Sequence, residues 1–236
     1  MKKTIIVMPV ANEEETMREL IEEILAFPYD NLFLYPVIDN YSKDRTEEII
    51  REFEPTGRVK CIFHEKSHGV VDCYLEGFRQ ALLDGAEWIV EMDGGYSHLP
   101  KELPQFIGKL EEGYECVWGS RFIEGGEIAE LPLYRRILSG GGTFLSNLVL
   151  GTKLKDMTSG YEAFQKEVLL PLNLEEFLSK GHMYQTEMRF YCRNRKAVEV
   201  PIHYVGGQTS LKMKSVTNAL SVLFQLKKHE MKVQKK

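Results

Sequence analysis

Residues 5–15 read Ile5-Ile-Val-Met-Pro9-Val-Ala-Asn12-Glu13-Glu-Glu15, an apolar run through Val10 that breaks on an amide and three acids. A run that short suits a strand covered on both faces, not a membrane helix or the apolar core of a signal peptide. Similar runs occupy Leu32–Ile38, Val59–Phe63, Trp88–Met92 and Cys116–Trp118. Between them the spacing becomes helical: Met17, Leu20, Ile21, Ile24 and Leu25 after the first run, and Val71, Tyr74, Leu75, Phe78 and Leu82 after the third. Asp44, with Glu47 three residues on, has the form of a capping box for a helix through Phe53. Strand and helix alternate, so the expected class is α/β, a mainly parallel sheet flanked by helices on both faces. A last strand is expected near Val198–Val205.

Ligands of such sheets gather beyond the carboxyl ends of the strands. Here those ends are polar: Pro9 to Glu13, Asp39-Asn40-Tyr-Ser42, His64-Glu-Lys66-Ser-His68-Gly69, Asp93-Gly94-Gly-Tyr-Ser97-His98 and Gly119-Ser-Arg121. A dinucleotide oxidoreductase is excluded at the first turn, which lacks the glycine fingerprint and would set three glutamates against a pyrophosphate. No P-loop pattern occurs.

The chain has 236 residues, 43% hydrophobic and 28% charged, enough to bury a core without disulfide or metal staples. Its net charge of −5 argues against nucleic acid as the partner. From Lys212 to Lys236 there are seven Lys and one Glu, a local +6 that leaves −11 on residues 1–211. Cys61, Cys73, Cys116 and Cys192 show no C-x-x-C spacing and read as reduced structural thiols of a cytoplasmic protein. No window reaches the roughly 18 apolar residues of a membrane span; Ile137–Leu150 is interrupted by Gly140, Gly141 and Gly142. Contact with a membrane surface would therefore be peripheral. An amphipathic final helix from Val216, with Ala219, Leu220, Leu223 and Leu226 on one side, and its basic tail could supply it, although an ordinary packing helix with a solvated tail accounts for the same pattern.

Seven fragments recur in order. They are P-x-x-N-E at Pro9, Asn12 and Glu13; D-N-x-S-x-D-x-T at Asp39, Asn40, Ser42, Asp44 and Thr46; and Gly119-Ser-Arg121-Phe122 followed by Gly125-Gly126. Then come Arg135, Arg136 and Ser139; Asp156, Thr158, Ser159, Gly160 and Tyr161; Gln185 and Glu187; and Glu199–Ile202. Together they resemble the family 2 glycosyltransferases, in particular the branch of dolichyl-phosphate mannose synthases and related polyprenyl-phosphate sugar transferases.

The resemblance implies a GT-A fold over residues 1–211, with a nucleotide-sugar half (1–121) and an acceptor half (122–211), and a basic helix and tail at 212–236. It implies an inverting transfer of a hexose from a GDP- or UDP-linked donor to a polyprenyl phosphate or a membrane-associated glycan. Pro9, Asn12, Glu13, Asp39, Ser42, Lys66, Asp93 and Gly94 would then line the nucleotide, and Arg121, Arg135, Arg136 and Ser139 an anionic acceptor phosphate. A phosphate acceptor needs no strong base; for a sugar hydroxyl, Asp156 or Glu187 would be the base, with Gln185 beside them.

Two departures stand out. The family's metal-binding D-x-D reads Asp93-Gly94-Gly95, without the second carboxylate. Either Asp93 still holds Mg²⁺ or Mn²⁺ with help from Ser97, His98 or diphosphate oxygens, or Lys66 and Lys212 neutralise the diphosphate instead. At the C-terminal end the stretch Tyr204–Lys214 lacks the family's arginine and displaces its lysine. It reads as a loop over the donor, with Ser210 and Lys212 as phosphate contacts, or as a plain solvated loop. The alternatives to the lipid-phosphate reading are transfer to a sugar hydroxyl in surface-polysaccharide synthesis and a non-catalytic nucleotide-sugar-binding relic.

Overall fold

The computed structural model describes residues 2–129, 133–179, 181, 183–205 and 221–228, with residues 133–138 described in backbone only. Apolar runs form β1 (Thr4–Val10), β2 (Leu32–Asp39), β3 (Ile62–His64), β4 (Trp88–Glu91) and β5 (Cys116–Ser120). The helical patterns form α1 (Met17–Leu25), α2 (Thr46–Glu52), α3 (Val70–Leu83) and α4 (Leu103–Glu111). Asp44 does cap α2, its Oδ1 accepting from the Thr46 amide at 3.0 Å and hydroxyl at 2.6 Å, but Glu47 pairs with Arg51 and closes no box.

The second half of the chain supplies β6 (Glu127–Ala129), α5 (Leu133–Leu150), β7 (Glu162–Gln165), α6 (Lys166–Leu169), α7 (Tyr184–Tyr191), β8 (Ala197–Pro201) and β9 (His203–Val205). Its placement departs from expectation. The main sheet runs β3-β2-β1-β4-β7-β5-β8, and β7 lies antiparallel between β4 and β5. The strand expected over 198–205 breaks at buried Ile202 into β8, beside β5, and β9, which pairs with β6 in a separate ribbon. The glycine run is helical, lying inside α5.

Alternation along β1 sorts the core. Ile6, Met8 and Val10 face α1, α2 and α4, while Ile5 and Val7 face α3 and α7. α3 lies so close that a Cβ on Gly77 would stand 2.1 Å from Val7 Cγ1 and 3.0 Å from Val37 Cγ2. Gly77→Ala is therefore expected to cost about 1–3 kcal/mol through overpacking. A thermal melt should show the loss, and Val7→Ala in the same chain should relieve part of it.

Residues 221–228 are helical, and Val222, Leu223 and Leu226 pack on Leu150 of α5 and on Met157 and Phe190. Among the described residues no helix is long and apolar enough to cross a membrane. Cys73, Cys116 and Cys192 are buried and all four thiols are free; burial pushes the Cys61 and Cys73 thiols up to about 11, which makes them unreactive.

Candidate active site

The turns after β1 and β2 are tied together. The Asn12 amide donates to Ser42 Oγ at 3.1 Å, and Asn12 Oδ1 accepts from the Lys43 amide at 2.9 Å. The Glu13 amide donates to Thr46 Oγ1 at 2.8 Å. Asn12 holds a left-handed φ of 56°, a conformation rare outside glycine and concentrated at functional sites. Asp39 ends β2 nearly buried, its Oδ1 accepting from the Tyr41 amide at 3.1 Å. Asn40 reaches across to the Glu65 and Ser67 carbonyls, drawing in the 64–69 turn, on which Lys66 is exposed. Pro9 is buried inside β1, and the Gly94 backbone lies against it: a Cβ there would meet Val10 Cγ1 at 2.9 Å and the Pro9 carbonyl at 3.3 Å.

Asp93 follows β4 at the centre of the sheet. Its Oδ1 accepts from the buried Tyr74 hydroxyl at 2.5 Å, and its amide donates to His98 Nδ1 at 2.9 Å. The His98 ring stacks on Tyr161 and leans on Tyr204. Burial holds the His98 pKa below its ordinary value, against the pull of Asp93, so the ring is neutral. Because Nδ1 accepts an amide hydrogen, Nε2 carries the proton; it is buried, has no partner among the described residues and lies 3.8 Å from Asp93 Oδ2. Against a ligand role for His98, one nitrogen is engaged by the Asp93 amide and the other carries the proton. His98 instead orients the Asp93 turn and offers an N–H.

Gln185, on α7, joins this cluster. A Cβ on Gly160 would have Gln185 Nε2 at 3.3 Å, His98 Cε1 at 3.4 Å and Asp93 Oδ2 at 3.7 Å around it. Glu13 is half-buried, its Oε2 accepting from Thr16 Oγ1 at 3.0 Å. Burial raises its pKa; the Thr16 bond works against this and the nearby Asp44 charge adds to it.

Arg121, at the end of β5, forms a second cluster. Its Nε and Nη2 reach Asp156 Oδ2 and Oδ1 at 2.7 and 2.8 Å, a bidentate pair with side chains 8% and 0% exposed. Nη2 also donates to Thr158 Oγ1 at 2.6 Å and Ser139 Oγ at 3.3 Å. Burial alone would raise the Asp156 pKa, but the Arg121 hydrogen bonds and charge hold it below the usual carboxylate value. Against Asp156 as a base, the carboxylate is locked in a guanidinium fork that favours its charged form.

Glu187 is likewise engaged internally. It is fully buried, and its oxygens accept from the Leu178 and Ser179 amides at 2.9 and 2.8 Å and from the Tyr191 hydroxyl at 3.1 Å, so it anchors a loop. Tyr204 connects the two clusters, with His98 at 5.8 Å and Arg121 at 5.4 Å from its ring. Arg135 and Arg136 lie on α5, their side chains outside the described residues, as are Ser210 and Lys212 altogether. Tyr74, Thr158 and Tyr204 were not foreseen as site residues; for Tyr74 the helical pattern signalled only a core position.

The model of the family described as Glycosyl transferase family 2 matches residues 5–170. Polyprenol monophosphomannose synthase of Mycolicibacterium smegmatis is 29% identical over 95% of this chain and 86% of its own. Dolichol-phosphate mannosyltransferase of Pyrococcus furiosus is 29% identical over 97% of this chain and 64% of its own. Undecaprenyl-phosphate mannosyltransferase of Micrococcus luteus is 30% identical over 86% and 84%. Among solved structures, Mycobacterium tuberculosis glucosyl-3-phosphoglycerate synthase with UDP superposes with a TM-score of 0.68 at 17% identity, covering 96% of this chain and 80% of that one. Its complex with Mn²⁺, UDP and glucosyl-3-phosphoglycerate gives 0.68 at 16% identity, covering 95% and 80%. That likeness makes the fold GT-A, and the family match over most of the length means that the chain belongs to glycosyl transferase family 2.

Proposed function

We propose that this glycosyltransferase moves a hexose, mannose first among the candidates, from a GDP- or UDP-linked donor to a polyprenyl phosphate at a membrane surface, with inversion. One observation carries the choice of acceptor: Asp156 and Glu187, the carboxylates a hydroxyl acceptor would need as base, are both committed to internal partners. A phosphate oxygen is already nucleophilic and needs only to be held. Arg121 is itself spent on Asp156, so what supports a phosphate here is the Ser139 and Thr158 hydroxyls around it and the Arg135-Arg136 pair carried by the same helix as Ser139. The names of the three relatives point the same way.

On the donor side, Asp39 is placed to accept from ribose hydroxyls or a base N–H, and Asn12 fixes the turn beside it. Asp93 fits a hard divalent cation, Mg²⁺ or Mn²⁺: Tyr74 fixes Oδ1, and Oδ2 stays accessible beside Gln185. When bound, such an ion would supply positive charge against the departing diphosphate. Lys66 remains available to the same diphosphate from the neighbouring turn, and Ser210 and Lys212, outside the described residues, would add further phosphate contacts. β9 ends beside the Asp93 turn, the Val205 amide donating to the Ser97 carbonyl at 3.3 Å.

A membrane surface suits the outer side of α5. Phe144 and Leu148, one turn apart, are 70% and 71% exposed, and Phe224 on the adjoining helical segment is 65% exposed. The test of the acceptor is nucleoside-diphosphate release from GDP-mannose and UDP-glucose with a short polyprenyl phosphate or the matching polyprenol. The phosphate should stimulate release, and the alcohol should be about 100-fold poorer, the worth of one charge-assisted phosphate clamp. Equal stimulation by both would overturn the phosphate reading.

A further inference from the structure

Resting on the donor reading above, we propose that Glu13 takes the part of the carboxylate missing at residue 95, so that a divalent cation bound with the donor diphosphate is held by Asp93 and Glu13 together. The two residues follow β4 and β1, which are neighbours in the sheet. Gly95 has a left-handed φ of +67°, and a Cβ on it would lie 2.7 Å from both Glu13 Oε1 and Oε2. The Glu13 carboxylate therefore fills the space that a side chain at residue 95 would enter.

That placement is built, not incidental. The Thr16 hydroxyl orients the carboxylate, and the Thr46 hydroxyl anchors its backbone. On the other side, Gly94 lies against Val10 and the Pro9 carbonyl, which folds the 93–95 turn onto the end of β1. Among the described residues no Lys or Arg pairs with Glu13 or Asp93, so two carboxylates from adjacent strand ends stand without a cationic partner. An independent observation marks the same place as a ligand position: His98 Nε2, fully buried and unpartnered among the described residues, lies 3.8 Å from Asp93 Oδ2. Such a donor serves a phosphate oxygen or a water on the ion. Two carboxylates, diphosphate oxygens and waters form the oxygen set that Mg²⁺ and Mn²⁺ take.

The experiment uses the full chain with Mn²⁺ as probe, read from the electron paramagnetic resonance signal of free Mn²⁺ in the presence of UDP or GDP. Calorimetric nucleotide affinities in Mn²⁺ and in EDTA accompany it. Glu13→Gln, nearly isosteric, should weaken Mn²⁺ binding about tenfold or more, and the gain in nucleotide affinity that Mn²⁺ gives over EDTA should shrink by a similar factor. Glu13→Ala combined with Gly95→Asp, which clears the space and returns a carboxylate tolerant of left-handed backbone, should recover most of the Mn²⁺ affinity. Mn²⁺ binding unchanged in Glu13→Gln would overturn the proposal, as would nucleotide binding by the native chain with no uptake of Mn²⁺. Failure to bind either nucleotide under any condition would instead overturn the donor reading on which it rests.

Discussion

Asp156→Ala is expected to lower stability by about 3–5 kcal/mol, the cost of leaving a buried charge without its partner. For a chain of this size that is a fall in Tm of order 10 °C. The Arg121 guanidinium is 8% exposed and gives Asp156 both prongs of its fork, so no water replaces the lost carboxylate. Arg121 would then turn toward Ser139 and Thr158, and transfer to a polyprenyl phosphate should drop with the geometry of that wall. The sign of the pH dependence follows from the pKa direction. Asp156 is held below its ordinary value of 3.8, so its contribution is complete above that value and is lost as pH falls through the lower folded value. Asp156→Asn should therefore flatten the acid limb of the stability curve. A melt of Asp156→Ala within 2 °C of the native chain, where a loss of order 10 °C is expected, would show that the pair is not a stabilising anchor.

Alkaline pH should weaken the fold through a different pair. Glu91 on β4 and Glu162 on β7 stand opposite each other in the sheet register, both fully buried, and Arg189 pairs with Glu162. Tyr184 donates to Glu91 Oε2 at 3.0 Å, while Glu91 Oε1 and Glu162 Oε2 are buried without partners among the described residues. Burial lifts Glu162 to about 7 despite the opposing Arg189, and burial with the Glu162 charge lifts Glu91 well above its usual value. At neutral pH the pair therefore holds a proton. A carboxyl with a raised folded pKa stabilises fully below its unfolded value, 4.5 for Glu162, and loses that contribution as pH rises through about 7. The native Tm should accordingly fall between pH 5 and 8. Glu91→Gln keeps an acceptor for Tyr184 and removes the proton requirement, so it should match the native chain at pH 5 and melt several degrees above it at pH 8. Identical slopes in the two proteins would refute the shared proton.

Much of this was legible in residue patterns. The 3.6-residue periodicity marked α1 and α3 to within a residue or two, because each buries one stripe and solvates the other. The strand ends that cluster around Asp93 were found because a parallel sheet collects its loops at one edge. β7 was not legible: its four residues, Glu-Ala-Phe-Gln, begin on a buried acid whose neutralising partner, Arg189, comes 27 residues later. The surroundings of Asp156 and Glu187 are hidden in the sequence for a related reason. A carboxylate in a motif looks free in sequence, whereas its hydrogen-bond partners, Arg121 for one and the Leu178 and Ser179 amides for the other, are supplied by the fold. Tyr74 carried two duties, core packing and orientation of Asp93, and only the first leaves a periodic trace.

The position of β7 also bears on how the chain reaches its native state. β4 and β5 are successive strands, yet neither can pair with the other; each waits for residues 162–165 to slot between them. During synthesis the first five strands thus emerge as a four-stranded parallel set and a detached strand, with Glu91 on an unpaired edge. The sheet closes only when the chain returns from α5, after a loop closure of some forty residues between β5 and β7. Maturation of the donor pocket is thereby coupled to arrival of the segment that carries Asp156, so a nascent chain does not present a finished nucleotide site without the wall meant to receive its sugar.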